Sequence, residues 1–179
     1  MLVGLLALLA VAQAPTVGPP LSSRPHDPVI QRTADATVLG TIGAADANVI
    51  EAAKLATTKA SNGEVKAYAT MLLREHRRSL TVGTDLAKDL HVTRLLPADS
   101  AMARAHKEEM FALNAASGAA FDKAFVQFMV DDHKVAIARV TGPELADAVR
   151  SRVKEFVRQR LPVLTAHQQA GEKWLAAHP

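Results

Sequence analysis

Seven histidines are spread over 179 residues, and there is no cysteine. The missing thiols exclude disulfide scaffolds, thiolate zinc sites, iron–sulfur clusters and cysteine nucleophiles. Imidazole and carboxylate are then the groups left for metal or acid–base chemistry. His76, His133 and His167 fall on apolar helical stripes. His76 recurs with Val65, Ala69, Leu72, Ser79, Gly83, Leu86 and Leu90 at three- and four-residue spacing, and His133 stands midway between Met129 and Ile137. A buried imidazole needs a partner, and a buried carboxylate needs one more. An ion held between facing helices satisfies both. Glu51, on a further helix, can complete the set. The candidate metal ligands are therefore Glu51, His76 and His133, with Glu75 and Asp132 beside them to orient the rings.

Height along a bundle tests this set. At 1.5 Å per residue, Glu51 lies roughly 17 Å from the turn at Asn62 and His76 roughly 20 Å. His133 lies roughly 14 Å before Gly142, at what should be the same end. His167 lies roughly 37 Å beyond Gly142, which separates it from the layer in a straight bundle. No Glu-x-x-His occurs, so di-iron oxidase chemistry is disfavoured. The expectation is a mononuclear site for a divalent ion, Zn²⁺, Cu²⁺ or Fe²⁺. His91, His106 and His178 sit near ends and surfaces and receive no role.

The elements that must carry these side chains are helical. Alanine occupies 34 positions and aromatics make up 4%, a poor supply for sheet. The patterning predicts helices over about 41–60, 62–90, 119–140 and 143–177, with a shorter one over 100–113. Ser61 with Glu64 reads as a capping box, Ser117-Gly118 as a break, and Gly142-Pro143 as a stop followed by a start. Pro162 should kink the last helix. Short links join the first two and the last two long helices. The fold class is therefore all-α: an up-down-up-down four-helix bundle with one extra short helix between helices two and three.

Residues 1–14 read as a secretory signal, an apolar run ending in Ala-Gln-Ala, although no basic residue precedes it, which suggests a start further upstream. Five prolines mark residues 15–32 as an extended linker, leaving 33–179 as the bundle domain. One Trp, one Tyr and a formal charge of +3 argue against nucleic-acid binding. The mature domain offers no membrane-spanning stretch. No phosphate loop, nucleophile elbow or H-E-x-x-H motif occurs, so no defined turnover is expected.

The stretch from Glu51 to Met71 leads to Glu75-His76, and Gly118 to Asp122, Asp132-His133, and Leu161-Pro162 with His167 follow it. Together these resemble the bacterial family called domain of unknown function 4142, over about Asp35 to Trp174. The resemblance implies an exported, ferritin-like four-helix bundle. The outer-membrane label often given to such proteins does not suit a chain without barrel strands. The family pattern carries over to Glu51, His76, Phe121, Asp122, His133, Pro162 and His167, and departs at Glu75, where Asp is more usual. It implies no activity, because fold does not fix function.

The leading expectation is a periplasmic or envelope-associated bundle with a metal-binding or stress-related role. The alternative is a metal-free structural bundle that binds an envelope protein. A third option, membrane-surface binding through Arg74, Arg77 and Arg78, lacks a free apolar counterface.

Overall fold

The computed structural model describes residues 28–94, 101–142 and 150–179. The predicted signal peptide, most of the proline-rich linker and the helix start at Pro143 lie outside the described residues. Among the described residues there are five helices and no strand: α1 (Pro28–Lys59), α2 (Gly63–Asp89), α3 (Ala101–Ala115), α4 (Gly118–Thr141) and α5 (Ser151–Ala177). The chain is all-α. Helix α1 packs along α2 and α4 along α5, while α1 also meets α4, α2 meets α5 and α3 lies against α4.

Helix α1 begins at Pro28, well before the expected Thr41. Proline costs nothing in a first turn, where its missing N–H has no partner to lose. The early threonines are accommodated because Thr33 and Thr37 bond back to the carbonyls of Val29 and Thr33. This first stretch also has a core to bury against. Ala36 and Leu39 pack with Leu86, Ala87, Val92, Val153, Phe156 and Val157.

The α1–α2 turn is capped differently from the expected box. Asn62, not Ser61, is the N-cap, and its Oδ1 accepts from the amides of Glu64 and Val65. Ser61 instead donates through both its amide and its hydroxyl to Asp122 on α4. The same carboxylate takes the Asn62 amide at 2.8 Å. A buried acid thus pins the turn of one hairpin to the other. The α3–α4 turn closes where expected, with Gly118 at φ 56°, a left-handed conformation that glycine adopts without strain.

A second apolar core lies nearer that turn. Val49, Ala52, Ala53 and Ala56 of α1 meet Val65, Ala69 and Leu72 of α2 and Phe121, Phe125, Val126, Met129 and Val130 of α4. The many alanines let α1 approach closely. Gly171 does the same for α5, since a Cβ there would stand 2.6 Å from a Val130 methyl. Helix α5 runs through Pro162, which is exposed and has no N–H for the usual bond. Along α1 and α2, the residues of the two cores are separated by buried polar positions, Asp46 and His76. No described helix is long and apolar enough to cross a membrane.

Candidate metal centre

The polar layer between the two cores draws one side chain or more from each of the four long helices. His76 of α2, His133 of α4 and His167 of α5 are all buried, with exposures of 4%, 0% and 1%. Their ring nitrogens converge. His133 Nε2 lies 3.3 Å from His76 Nε2 and 3.2 Å from His167 Nδ1, and one nitrogen from each ring lies within 4.8 Å of the others.

The outward nitrogen of each ring is already committed to an acceptor. His76 Nδ1 meets Asp46 Oδ1 at 2.8 Å. His133 Nδ1 meets the Met129 carbonyl, one helical turn earlier, at 2.7 Å. His167 Nε2 meets Glu75 Oε2 at 3.0 Å. A carbonyl or carboxylate can only accept, so each of these nitrogens carries the proton. A neutral imidazole has one N–H. With all three rings neutral, the inward nitrogens are lone pairs that face one another.

At His133 and His167 the surroundings oppose protonation. Burial, together with the neighbouring His76 and His167, pushes His133 down from 6.5 to about 3. Burial also lowers His167, against the pull of Glu75 in the other direction. The supporting carboxylates stay ionised. Burial works against charge on Asp46, yet hydrogen bonding to His76 and the charge of Arg160 outweigh it and hold the carboxyl below its ordinary value. Glu75 is lowered chiefly by its hydrogen bond to Arg74, with His167 adding to it.

Asp46 is the hub of the support. It has no exposed side-chain surface, and it accepts from Arg160 Nη1 and Nη2 at 3.1 and 2.8 Å and from Ser79 Oγ at 2.7 Å. A two-pronged guanidinium contact of this kind fixes orientation as well as charge.

The structure brings together His76 and His133 as expected and adds His167, which the height estimate had set apart. The estimate placed the α4–α5 reversal at Gly142. Arg150, just ahead of α5, bonds Asp35 through its amide and guanidinium and also meets the Leu90 carbonyl. Helix α5 therefore starts level with the far end of the α1–α2 hairpin, and His167 descends to the layer of the other two.

Glu51 does not join the cluster. Its side chain is 63% exposed and pairs with His106 Nε2 at 3.0 Å, which gives His106 a partner where none was expected. Glu75 does orient an imidazole, but that of His167 rather than its chain neighbour. Asp132 is half-buried, and no hydrogen bond joins it to His133 among the described residues. Burial raises its carboxyl, with His76 and His106 opposing. Asp46 and Arg160 were missed. Asp46 sits three residues before Val49 and seven before Ala53, on the apolar stripe of α1, and an acid on such a stripe is the signal that identifies it.

Two solved structures share the fold. A DUF305 fragment from Deinococcus radiodurans superposes with a TM-score of 0.73 at 16% identity, covering 80% of this chain and 96% of its own. A DUF305 protein from Streptomyces coelicolor, provisionally described as secreted, gives 0.69 at 14% identity, covering 80% and 93%. No protein of curated function matches the sequence. The sequence does match the family described as Domain of unknown function (DUF4142) over residues 21–173, so the chain belongs to that family.

Proposed function

We propose that the protein binds one divalent transition-metal ion through His76 Nε2, His133 Nε2 and His167 Nδ1, with no catalytic turnover. The observation that carries this reading is the convergence of three inward ring nitrogens, each on a ring whose outer nitrogen is engaged by an acceptor. A tetrahedral ion with bonds of about 2.0–2.1 Å to nitrogen spaces its ligands about 3.3 Å apart. The two short contacts of His133, at 3.3 and 3.2 Å, match that edge. Carboxylate and carbonyl acceptors behind the rings are the usual support of such ligands. An all-imidazole set suits Zn²⁺ or Cu²⁺ better than Fe²⁺, which takes a carboxylate in its common three-ligand site. The set originally expected, Glu51 with His76 and His133, is thereby replaced by three histidines, with Asp46 and Glu75 behind them.

The bundle carrying the site is read as ferritin-like, up-down-up-down, with α3 as the extra helix. Its place is the periplasm or cell envelope after export, a reading supported by the apolar N-terminal run of the sequence and by the secreted description of the Streptomyces relative in fold.

Elemental analysis of untagged protein covering residues 15–179, which keeps α1 whole, tests the proposal. About one Zn or Cu per chain is expected, falling below about a tenth in both His133→Ala and His167→Gln, with helicity retained in the latter. No uptake of added Zn²⁺, Cu²⁺ or Fe²⁺ by the folded protein would overturn it. The histidines would then be structural, and the bundle a candidate for binding an envelope protein.

A further inference from the structure

A cavity of about 570 Å³ opens between α2 and α5, and His76 and His167 form part of its wall. Its other walls divide by chemistry. Val82, Phe156, Val163 and Leu164 supply an apolar side. Arg74, Arg78 and Arg160 supply three cations, two of them offset by Glu75 and by the Asp46 carboxylate behind the wall. Arg74 is paired with Glu75 at 2.9 Å. Arg78 is exposed and has no partner among the described residues. Arg160 gives both terminal nitrogens to Asp46, but its Nε is buried without an acceptor. The cavity thus has one uncompensated cation, Arg78, and an apolar flank, beside two of the three converging imidazoles.

We infer that this cavity takes a small organic carboxylate, whose headgroup occupies the position that three histidines leave open on the metal and whose apolar body lies along Val82, Phe156 and Val163. The inference rests on the metal reading above. A three-histidine ion keeps one position for an outside ligand. The volume lies within the range of small-molecule sites, about 300–1,000 Å³, and exceeds what a bare oxyanion needs. Arg78 selects for negative charge, and the flank selects for an aliphatic or aromatic body over inorganic phosphate.

The experiment uses protein loaded with Co²⁺, a visible-absorbing stand-in for Zn²⁺, titrated separately with hexanoate, acetate and inorganic phosphate. Hexanoate should change the cobalt spectrum and bind about tenfold more tightly than acetate, because its extra methylenes leave water. Phosphate should be no better than acetate. Val163→Trp, at a partly exposed wall position, should weaken hexanoate about tenfold while leaving cobalt stoichiometry and the ligand-free spectrum unchanged. Arg78→Ala should weaken hexanoate and acetate alike, by about fivefold, the effect of one exposed charge. A cobalt spectrum indifferent to all three anions overturns the inference and leaves the metal reading standing. So does equal binding of hexanoate and phosphate, or a Val163→Trp variant that binds hexanoate normally. Failure to take up cobalt overturns both.

Discussion

At His133 the backbone decides the chemistry. The Met129 carbonyl one turn earlier takes the Nδ1 proton, so Nε2 is aromatic nitrogen with a free lone pair at the centre of the cluster. Asp46 makes the same choice for His76, and it is held in turn by Arg160 and Ser79. Asp46→Asn keeps the volume but loses the charge, and the amide can present an N–H to the ring. Metal affinity should fall about 10–100-fold, the usual effect of removing a ligand's support, as read by competition with a chromophoric chelator. Asp131→Asn, which disturbs only the exposed bond to Gln127, should leave affinity unchanged. An equal loss in both variants would refute the assigned role of Asp46. His76 and His133 were legible as candidates because each interrupts an apolar stripe at helical spacing. Asp46 was as legible by the same rule; Glu51 meets the height test but lies on an exposed face, and height along a helix says nothing of the face a residue occupies.

At the scale of elements, two contacts decide how the hairpins meet. Gly171 lets α5 approach α4, since a Cβ there would stand 2.6 Å from Val130 and 3.2 Å from the Tyr68 hydroxyl oxygen. Gly171→Ala should therefore cost about 1–3 kcal/mol, as overpacking does, seen as a lower urea midpoint at unchanged slope. It should also loosen the metal site, because His167 lies one turn earlier on α5. Asp122 ties the α1–α2 turn to α4 by three hydrogen bonds. Asp122→Ala should destabilise by about 2 kcal/mol or more, since the amides of Ser61 and Asn62 lose a charged acceptor. A loss below about 0.5 kcal/mol would place the pinning of the turn elsewhere. The helices themselves were largely readable from periodicity: of the expected stripe of α2, Val65, Ala69, Leu72, His76, Gly83 and Leu86 are buried, and Ser79 and Leu90 are half-buried. The start of α1 was not, because prolines and threonines weigh against helix locally, and only packing of Ala36 and Leu39 with α5 and the end of α2 reverses that weight.

For the whole molecule, two apolar cores enclose a polar layer in which burial opposes charge on His133 and His167 while Asp46 and Glu75 behind the rings are held ionised. Folding therefore responds to acid in a defined direction. In the unfolded chain the imidazoles of His133 and His167 take up protons near pH 6.5, whereas His133 in the fold does so only near 3 and His167 is lowered as well. Between those values the unfolded state holds more protons, so stability falls as pH drops through about 6.5 and keeps falling toward 3. Asp46, with its lowered value, adds a loss in the same direction at the acid end. Thermal unfolding of metal-free protein from pH 8 to pH 4 should trace this decline, and His133→Gln should flatten it. Bound metal should raise the unfolding temperature at pH 7.5 in proportion to the logarithm of free ion. A metal-free protein equally stable at both ends of the range would contradict the buried, neutral histidines.

Composition, periodicity and capping residues determined the all-helical class, the turns near Asn62 and Gly118, and the presence of histidines on buried faces. These are local properties, set within a few turns by backbone preference and apolar spacing. Which histidines meet was decided only in three dimensions. The layer depends on where α5 begins relative to α1 and α2, and that is set by contacts between distant residues, Asp35 with Arg150 and Asp46 with Arg160. No spacing along the chain encodes the level at which one helix passes another, so His167 joined the centre and Glu51 left it only when the helices were packed.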